Sequence, residues 1–152
     1  MGAIEELMLR LGTLPKSEFE KIYAEAAAAR KVMGVDRWIP TVGPQADAFN
    51  SKADVLGFGG EPGGGKTELG LGAAFCQHKR TLVLRRQYTD LSGLIDAAIR
   101  INGSRDGFNG SPPPRLTIAQ DQFIDFAGCA RLGDERHWMG KAHDLIVPDE
   151  TT

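Results

Sequence analysis

A glycine-rich segment followed by a lysine and a threonine carries the strongest chemical signal in this chain. It matches the pattern G-x-x-x-x-G-K-[ST] at every fixed position. Glycines allow such a loop to turn its backbone N–H groups inward around a polyphosphate, the lysine reaches the β- and γ-phosphates, and the hydroxyl binds the accompanying Mg²⁺. The alternative interpretation of this segment is a glycine-rich turn between a strand and a helix that binds no ligand. The residues predicted to bind a nucleoside triphosphate are Gly60, Glu61, Pro62, Gly63, Gly64, Gly65, Lys66 and Thr67.

The segments on either side of this loop predict the strand, loop and helix that the motif requires. Before it, the apolar run from Val55 to Phe58 is typical of a short buried strand. After it, the run from Glu68 to Cys76 predicts a helix whose N-terminus faces the anion.

An acidic pair, Asp149 and Glu150, ends the last apolar run of the chain, which begins at Asp144. Open parallel sheets present their ligand groups at the C-terminal ends of strands. Nucleotide hydrolysis needs a carboxylate for Mg²⁺ and a base for the attacking water. We therefore expect Asp149 to hold Mg²⁺ together with Thr67, and Glu150 to activate the water. A solvated strand end is the alternative interpretation.

Three further polar residues are candidates for the same site. Arg85 and Arg86 follow another apolar run, and one of them could sense the γ-phosphate, in this subunit or a neighbour, or contact DNA. A solvated strand end or a salt bridge to the following loop is equally compatible with them. Gln45 lies upstream of the loop, and its amide could donate to and accept from an adenine edge.

Length and composition indicate one globular domain. The 152 residues are 41% hydrophobic and 25% charged, with a net charge of −2 that gives no overall nucleic-acid footprint. No apolar run approaches the roughly 18 residues of a membrane span, so no membrane contact is expected. We predict an N-terminal helical region over residues 1–34 and a nucleotide-binding core over residues 35–152.

The order of the apolar runs predicts an α/β fold with a mainly parallel sheet flanked by helices. A glycine- and proline-rich stretch over residues 102–115 predicts a loop, and the hairpin after it predicts a half-exposed sheet edge. The predicted helices are Ala3–Leu11, Ser17–Val32 and Leu91–Ile101, and the predicted strands, besides Val55–Phe58, are Thr81–Leu84, Arg115–Ala119, Gln122–Phe126 and the run ending at Asp149.

In order and spacing, these motifs resemble the large terminase subunit, the DNA-packaging ATPase of tailed bacteriophages, from about Trp38 onward. The phosphate loop itself is common to all P-loop ATPases. Two further features together make the resemblance specific to terminases among P-loop ATPases. They are the strand ending at Arg85-Arg86 and the Gly-x-x-His-Asp-Leu sequence before Asp149-Glu150. The segments that carry it are 38–40 (WIP), 43–45 (GPQ), 59–72 (GGEPGGGKTELGLG), 81–86 (TLVLRR) with 90–91 (DL), and 140–150 (GKAHDLIVPDE).

The resemblance implies a P-loop NTPase fold of the additional-strand type, with a β-hairpin insertion, that hydrolyses ATP with Mg²⁺. It implies a homo-oligomeric ring in the host cytoplasm that drives double-stranded DNA into a capsid, with a portal protein and a small terminase subunit as partners. Lys66 and Thr67 would take the phosphate and Mg²⁺ roles, Asp149 the metal, Glu150 the catalytic base and Gln45 the adenine. The family's coupling motif and nuclease domain have no counterpart here, so we expect an incomplete domain, truncated after the acidic (Walker B) strand.

Other interpretations stay open. A different additional-strand P-loop ATPase acting on DNA, such as a helicase-like protein, would carry the same loop and acidic strand. A small-molecule kinase fits less well, because a glutamate directly after the metal aspartate suits water activation. A nucleotide-binding or interaction module without turnover is the alternative from a different class.

Overall fold

The computed structural model of the protein describes residues 12–32, 37–61 and 63–149. None of the helices in these ranges is both long and apolar enough to cross a membrane. The helices are α1 (Lys16–Val32), α2 (Pro44–Phe49), α3 (Lys66–Cys76) and α4 (Leu91–Asn102), with 3₁₀ turns at Tyr88–Asp90 and Asp134–Trp138. The strands are β1 (Arg80–Arg85), β2 (Phe108–Asn109), β3 (Arg115–Ala119), β4 (Gln122–Gly128) and β5 (Leu145–Pro148).

The five strands form one mixed sheet in the order β2-β3-β4-β1-β5. Strand β1 pairs in parallel with β4 on one side and β5 on the other. Strand β3 pairs antiparallel with both β2 and β4. The chain is thus α/β with helices beside the sheet, as predicted, but the prediction of a mainly parallel sheet is wrong.

The hairpin of β3 and β4 is the reason for this difference. Its connection, Gln120-Asp121, is too short for a crossover, so the two strands must run antiparallel. Strand β3 has the predicted half-exposed pattern, but β4 lies between β3 and β1, and Ile124 and Phe126 are fully buried. The prediction that the hairpin forms the sheet edge is therefore wrong: β4 lies inside the sheet, and the outer side of β3 pairs with the two-residue strand β2.

The strand predicted before the glycine-rich loop is absent: residues 51–60 have a bend at Asp54-Val55 and no strand. Val55 is 89% exposed, and Leu56 is exposed as well. A strand is stable only when a neighbour takes up its backbone hydrogen bonds. None of the five strands in the described part of the chain pairs with this segment.

The predicted helices are confirmed with small changes at their ends. The helix predicted from Ser17 begins at Lys16, so Ser17 lies inside its first turn and does not cap it. Helix α4 begins and ends within one residue of its prediction, but the Asp90 side chain makes no capping hydrogen bond. The predicted helix Ala3–Leu11 lies outside the described residues.

Helices α3 and α4 enclose the core on one face of the sheet. Along each helix the buried apolar side chains are three or four residues apart and so lie on one face. They pack against apolar side chains from one face of the strands. This cluster consists of Leu71, Ala74, Phe75, Val83, Leu91, Leu94, Ala98, Leu116, Ile124 and Phe126.

Two glycines allow α3 to lie close to its neighbours. A Cβ on Gly70 would come within 2.6 Å of the Val147 side chain on β5, and a Cβ on Gly72 within 2.0 Å of the Trp38 ring. Trp38 also packs against Phe49 of α2, with ring centroids 5.4 Å apart. These contacts fix the start of α3 relative to the end of β5 and to the segment that carries Gln45.

A buried carboxylate ties the opposite face of the sheet to the segment before β5. Asp125 alternates with the core residues of β4 and is 1% exposed. It accepts hydrogen bonds from Arg115 Nε at 2.6 Å and Nη2 at 3.0 Å, and lies 3.0 Å from His143 Nε2. The hydrogen bond to Asp125 raises the pKa of Arg115 against the opposing effect of burial. A buried charge paired in this way holds His143, and with it the approach to β5.

Asp144 aligns the starts of β1 and β5. Its carboxylate accepts hydrogen bonds from the backbone N–H groups of Lys79 at 2.9 Å and Arg80 at 2.8 Å. Partial burial acts to raise the pKa of Asp144, but these hydrogen bonds and the nearby His78 outweigh it and hold the pKa below its usual value. The ionised form is therefore the one that the folded protein prefers.

Replacing Asp144 by alanine is expected to lower the free energy of unfolding at pH 7 by about 1 kcal/mol, because two backbone donors lose a partly exposed acceptor. A carboxylate with a lowered pKa stabilises the fold above its unfolded-state pKa of about 3.9, and this contribution is lost as the pH falls through the lower folded-state value. Urea unfolding of wild type and Asp144→Ala should therefore differ at pH 7, and the difference should narrow as the pH falls below about 3.9. Asp121→Ala, in the exposed hairpin turn, is the control. A difference that stays constant down to pH 3 would contradict this assignment.

Candidate nucleotide-binding site

The glycine-rich loop leads directly into α3. Gly65 occupies the N-cap position with a left-handed conformation, φ 73° and ψ 19°, which glycine adopts without steric cost. Helix α3 begins at Lys66, two residues before the predicted start, so both Lys66 and Thr67 lie in its first turn. The N–H groups of a first helical turn have no partner within the helix and form an anion-binding end.

Lys66 folds back across the loop that precedes it. Its ammonium group donates to the backbone carbonyl oxygens of Gly60 at 2.8 Å and Glu61 at 2.9 Å. Two of its three N–H donors are therefore directed at loop carbonyls. These partners are neutral and polar, so a more negative acceptor can replace them by side-chain rotation.

Thr67 and Asp149 meet although 82 positions separate them in the sequence. The Thr67 hydroxyl lies 3.2 Å from Asp149 Oδ1 and 3.0 Å from Oδ2. Asp149 directly follows β5, where its N–H donates to the Leu84 carbonyl oxygen, and it is 6% exposed. The structure thus brings the loop and the end of the acidic strand together, as the sequence predicts.

Arg85 holds the same carboxylate from the neighbouring strand. Its Nε and Nη2 atoms donate to Asp149 Oδ2 at 3.0 and 2.8 Å, and its Nη1 donates to the Asp90 carbonyl oxygen at 2.9 Å. Arg86 is exposed and makes no side-chain hydrogen bond or ion pair within the described part of the chain. The structure therefore separates the two arginines, and it is Arg85 that lies at the site.

Gln45 contacts the loop through its amide group. The amide oxygen accepts from the Thr41 N–H at 2.7 Å, and the amide nitrogen donates to the Gly65 carbonyl oxygen at 3.0 Å. In this position the amide links the segment before α2 to the last residue of the loop. Its role in adenine recognition stays a prediction, and the two hydrogen bonds were not predicted from the sequence.

The remaining predicted residues divide into two groups. Gly60, Glu61, Gly63 and Gly64 are exposed on the loop, where a ligand can reach their backbone. Pro62 and Glu150 lie outside the described residues, so the prediction that Glu150 activates water stays a prediction.

The donor set at Thr67 and Asp149 suits Mg²⁺. A hydroxyl and a carboxylate are hard oxygen ligands, and Mg²⁺ in nucleotide sites takes one or two protein ligands and completes its coordination with phosphates and water. No group of three or more His, Cys, Asp or Glu side chains able to hold a metal is found in residues 12–32, 37–61 and 63–149. A metal at this site would therefore complete its coordination with water or with the phosphates of a nucleotide.

A cavity of about 760 Å³ lies beside this site, between α1 and residues 37–42. Tyr23 and Trp38 contribute to its lining, but none of residues 60–67 does. The cavity lining includes the ion pair of Glu68 and Arg100. We locate the candidate site at the loop because Thr67 of the motif and Asp149 meet there.

Comparison of this chain with protein-family models, with curated proteins and with solved structures finds no match. The interpretation of the site therefore rests on the loop motif and on the contacts of Thr67, Arg85 and Asp149.

Replacing Gly65 by alanine is expected to destabilise the protein by about 2–3 kcal/mol. The left-handed conformation costs a residue with a Cβ roughly 1–2 kcal/mol, and a Cβ would lie 2.4 Å from Gln45 Nε2 and break its hydrogen bond, worth about 1 kcal/mol. Gly63→Ala is the matched variant, since Gly63 has a φ of 85° but no neighbouring atom within 4 Å of the place that a Cβ would take. Urea unfolding should rank wild type above Gly63→Ala and Gly63→Ala above Gly65→Ala. Equal losses in the two variants would show that the Gln45 contact contributes nothing.

Proposed function

We propose that this chain binds ATP with Mg²⁺ at the loop of residues 60–67. The observation that carries the proposal is the contact of the Thr67 hydroxyl with Asp149, because it joins the two halves of the motif at the N-terminus of α3. The backbone of the loop and the first turn of α3 would bind the phosphates, and Lys66 would exchange the Gly60 and Glu61 carbonyls for phosphate oxygens. Bound Mg²⁺ would neutralise the charge that develops on the β- and γ-phosphates.

We further propose that the binding belongs to an additional-strand P-loop ATPase, a motor of the terminase type that acts on double-stranded DNA. The parallel pairing of β1 with β5 supports this assignment, since it sets Arg85 beside Asp149 at one edge of the sheet. The ring, the portal protein and the small terminase subunit enter this proposal through the resemblance alone. Glu150, the residue after Asp149, is the proposed general base.

A nucleotide-binding module without turnover is the second candidate. The observation that favours it is the absence of a strand in residues 51–60, directly before the loop. A phosphate loop supported on its helix side alone can bind a nucleotide through backbone donors, but it positions the γ-phosphate less rigidly for attack. The two candidates agree on binding and differ in phosphate release.

Lys66→Ala is expected to weaken ATP binding roughly 10- to 100-fold, because one hydrogen-bonding cation contributes about 1.5–3 kcal/mol to an anionic partner. Fluorescence titration of a labelled ATP analogue in the presence of Mg²⁺ measures this. Lys52→Ala, an exposed lysine of the preceding segment, removes the same charge and should bind as wild type. ATP binding that survives Lys66→Ala unchanged would contradict the assignment of the loop.

The motor proposal predicts that double-stranded DNA increases the rate of phosphate release from ATP and that Glu150→Gln abolishes release while leaving ATP binding intact. The glutamine keeps the shape of the side chain but cannot accept the proton of the attacking water. Release assayed with and without DNA measures both effects. ATP binding without release from wild type, with or without DNA, would favour the nucleotide-binding module instead.

A further inference from the structure

The Asp149 carboxylate already has a cationic partner in this structure. Both Nε and Nη2 of Arg85 donate to its Oδ2 atom, and the arginine side chain of this ion pair is 14% exposed. The Thr67 hydroxyl reaches the same oxygen at 3.0 Å. The two groups expected to serve Mg²⁺ are therefore hydrogen-bonded to each other, and the carboxylate is bonded to a guanidinium group as well.

A guanidinium group and a divalent cation cannot share this carboxylate without strong repulsion. Like charges a few ångströms apart interact strongly where water is largely excluded. The guanidinium group of an arginine keeps its positive charge in proteins, so losing a proton cannot relieve the conflict. As long as Arg85 stays at Oδ2, it therefore opposes the binding of Mg²⁺ next to Asp149.

We propose that Arg85 and Mg²⁺ are alternative partners of Asp149, so that Arg85 holds the carboxylate before ligand binding and leaves it when Mg²⁺ binds with a triphosphate. Arg85 acts here as a positioning residue. The triphosphate part of this inference rests on the proposed function, whereas the competition between Arg85 and a divalent cation does not.

The backbone around Arg85 confines this exchange to its side chain. The Arg85 carbonyl oxygen accepts from the Cys129 N–H at 2.8 Å, and the neighbouring Leu84 carbonyl accepts from the Asp149 N–H at 2.8 Å. The bond from Nη1 to the Asp90 carbonyl oxygen holds one arm of the guanidinium at the same sheet edge. Because the guanidinium group is planar and rigid, rotation of the Arg85 side chain away from the carboxylate moves Nε, Nη1 and Nη2 together, so the bond to the Asp90 carbonyl must shift or break as well.

Competition between Arg85 and a metal predicts a change in metal affinity that a purely structural ion pair does not. If Arg85 only stabilises the fold, its removal weakens the protein and leaves metal binding unchanged or weaker. If Arg85 excludes the metal, its removal leaves a buried carboxylate beside a hydroxyl with no cation, and a divalent cation then binds more tightly.

The test is direct binding of Mn²⁺, a spectroscopic substitute for Mg²⁺, to the full chain without nucleotide, measured by electron paramagnetic resonance. Arg85→Gln should bind Mn²⁺ at least about tenfold more tightly than wild type, which corresponds to about 1.4 kcal/mol. Arg86→Gln removes the same charge one residue away, at an exposed side chain, and should match wild type. The double variant Arg85→Gln/Asp149→Asn should lose the gain, since the amide is a poorer metal ligand.

Mn²⁺ affinity that is unchanged or lower in Arg85→Gln, or raised equally in Arg86→Gln, overturns the proposal. If Arg85→Gln does not fold, Arg85→Lys replaces it. Lysine keeps the charge but cannot donate two parallel hydrogen bonds, so a smaller increase in Mn²⁺ affinity is expected and no increase overturns the proposal. Because nucleotide is absent, a tighter Mn²⁺ site in Arg85→Gln stands even if Lys66→Ala shows that ATP does not use the loop.

Discussion

The arrangement of the site depends on one buried carboxylate. Asp149 follows β5, lies beside β1 through Arg85, and reaches the first turn of α3 through Thr67. The end of β1, the end of β5 and the start of α3 therefore meet at one negatively charged group, although they are distant in sequence. Removing an unpaired charge of this kind from water is costly, so the carboxylate is stable in this position only when all of its neighbours are in place.

The position of Asp149 is in turn set by the segment before β5. His143 contacts the buried Asp125 on β4, and Asp144 accepts from the N–H groups of Lys79, just before β1, and Arg80, its first residue. His143 and Asp144 belong to the Gly-x-x-His-Asp-Leu sequence on which the proposed relationship to terminases partly rests. Through these contacts the two residues set the register of β5, which is only four residues long. A shift of one residue in this register would turn Asp149 to the other face of the sheet.

The sequence predicted the elements better than it predicted their pairing. Helices α3 and α4 and strands β1 and β5 were predicted because each has an apolar pattern with clear ends. The central place of β4 was missed, since a hairpin between polar turns has the same local pattern at an edge as in the middle of a sheet. The strand over Val55–Phe58 was predicted from its own residues, but strand formation depends on a neighbour that local sequence does not specify.

At the site, residue types and motif spacing identified Thr67 and Asp149 correctly as a pair that meets in space. The sequence leaves Arg85 open between the γ-phosphate, DNA, a solvated strand end and a salt bridge to the following loop. In the structure its ionic partner is Asp149, at the end of the neighbouring strand. A signal for this pairing was present, because a basic and an acidic residue end two apolar runs that both predict parallel strands. The hydrogen bonds of Gln45 left no such signal, since an amide at that position can serve a base or a backbone equally well.

The charged groups of the site are engaged with other parts of the protein. Lys66 is bonded to loop carbonyls, and Thr67 and Arg85 are bonded to Asp149. A ligand that binds here replaces these interactions, so the free energy of binding is the difference between the new contacts and the internal ones that they displace. A diphosphate, which presents fewer oxygens, gains less from the same exchange than a triphosphate with Mg²⁺. On the proposed function, breaking the internal bonds would lower the affinity of every ligand that displaces them by the same factor, so a preference for the triphosphate would come from its additional contacts.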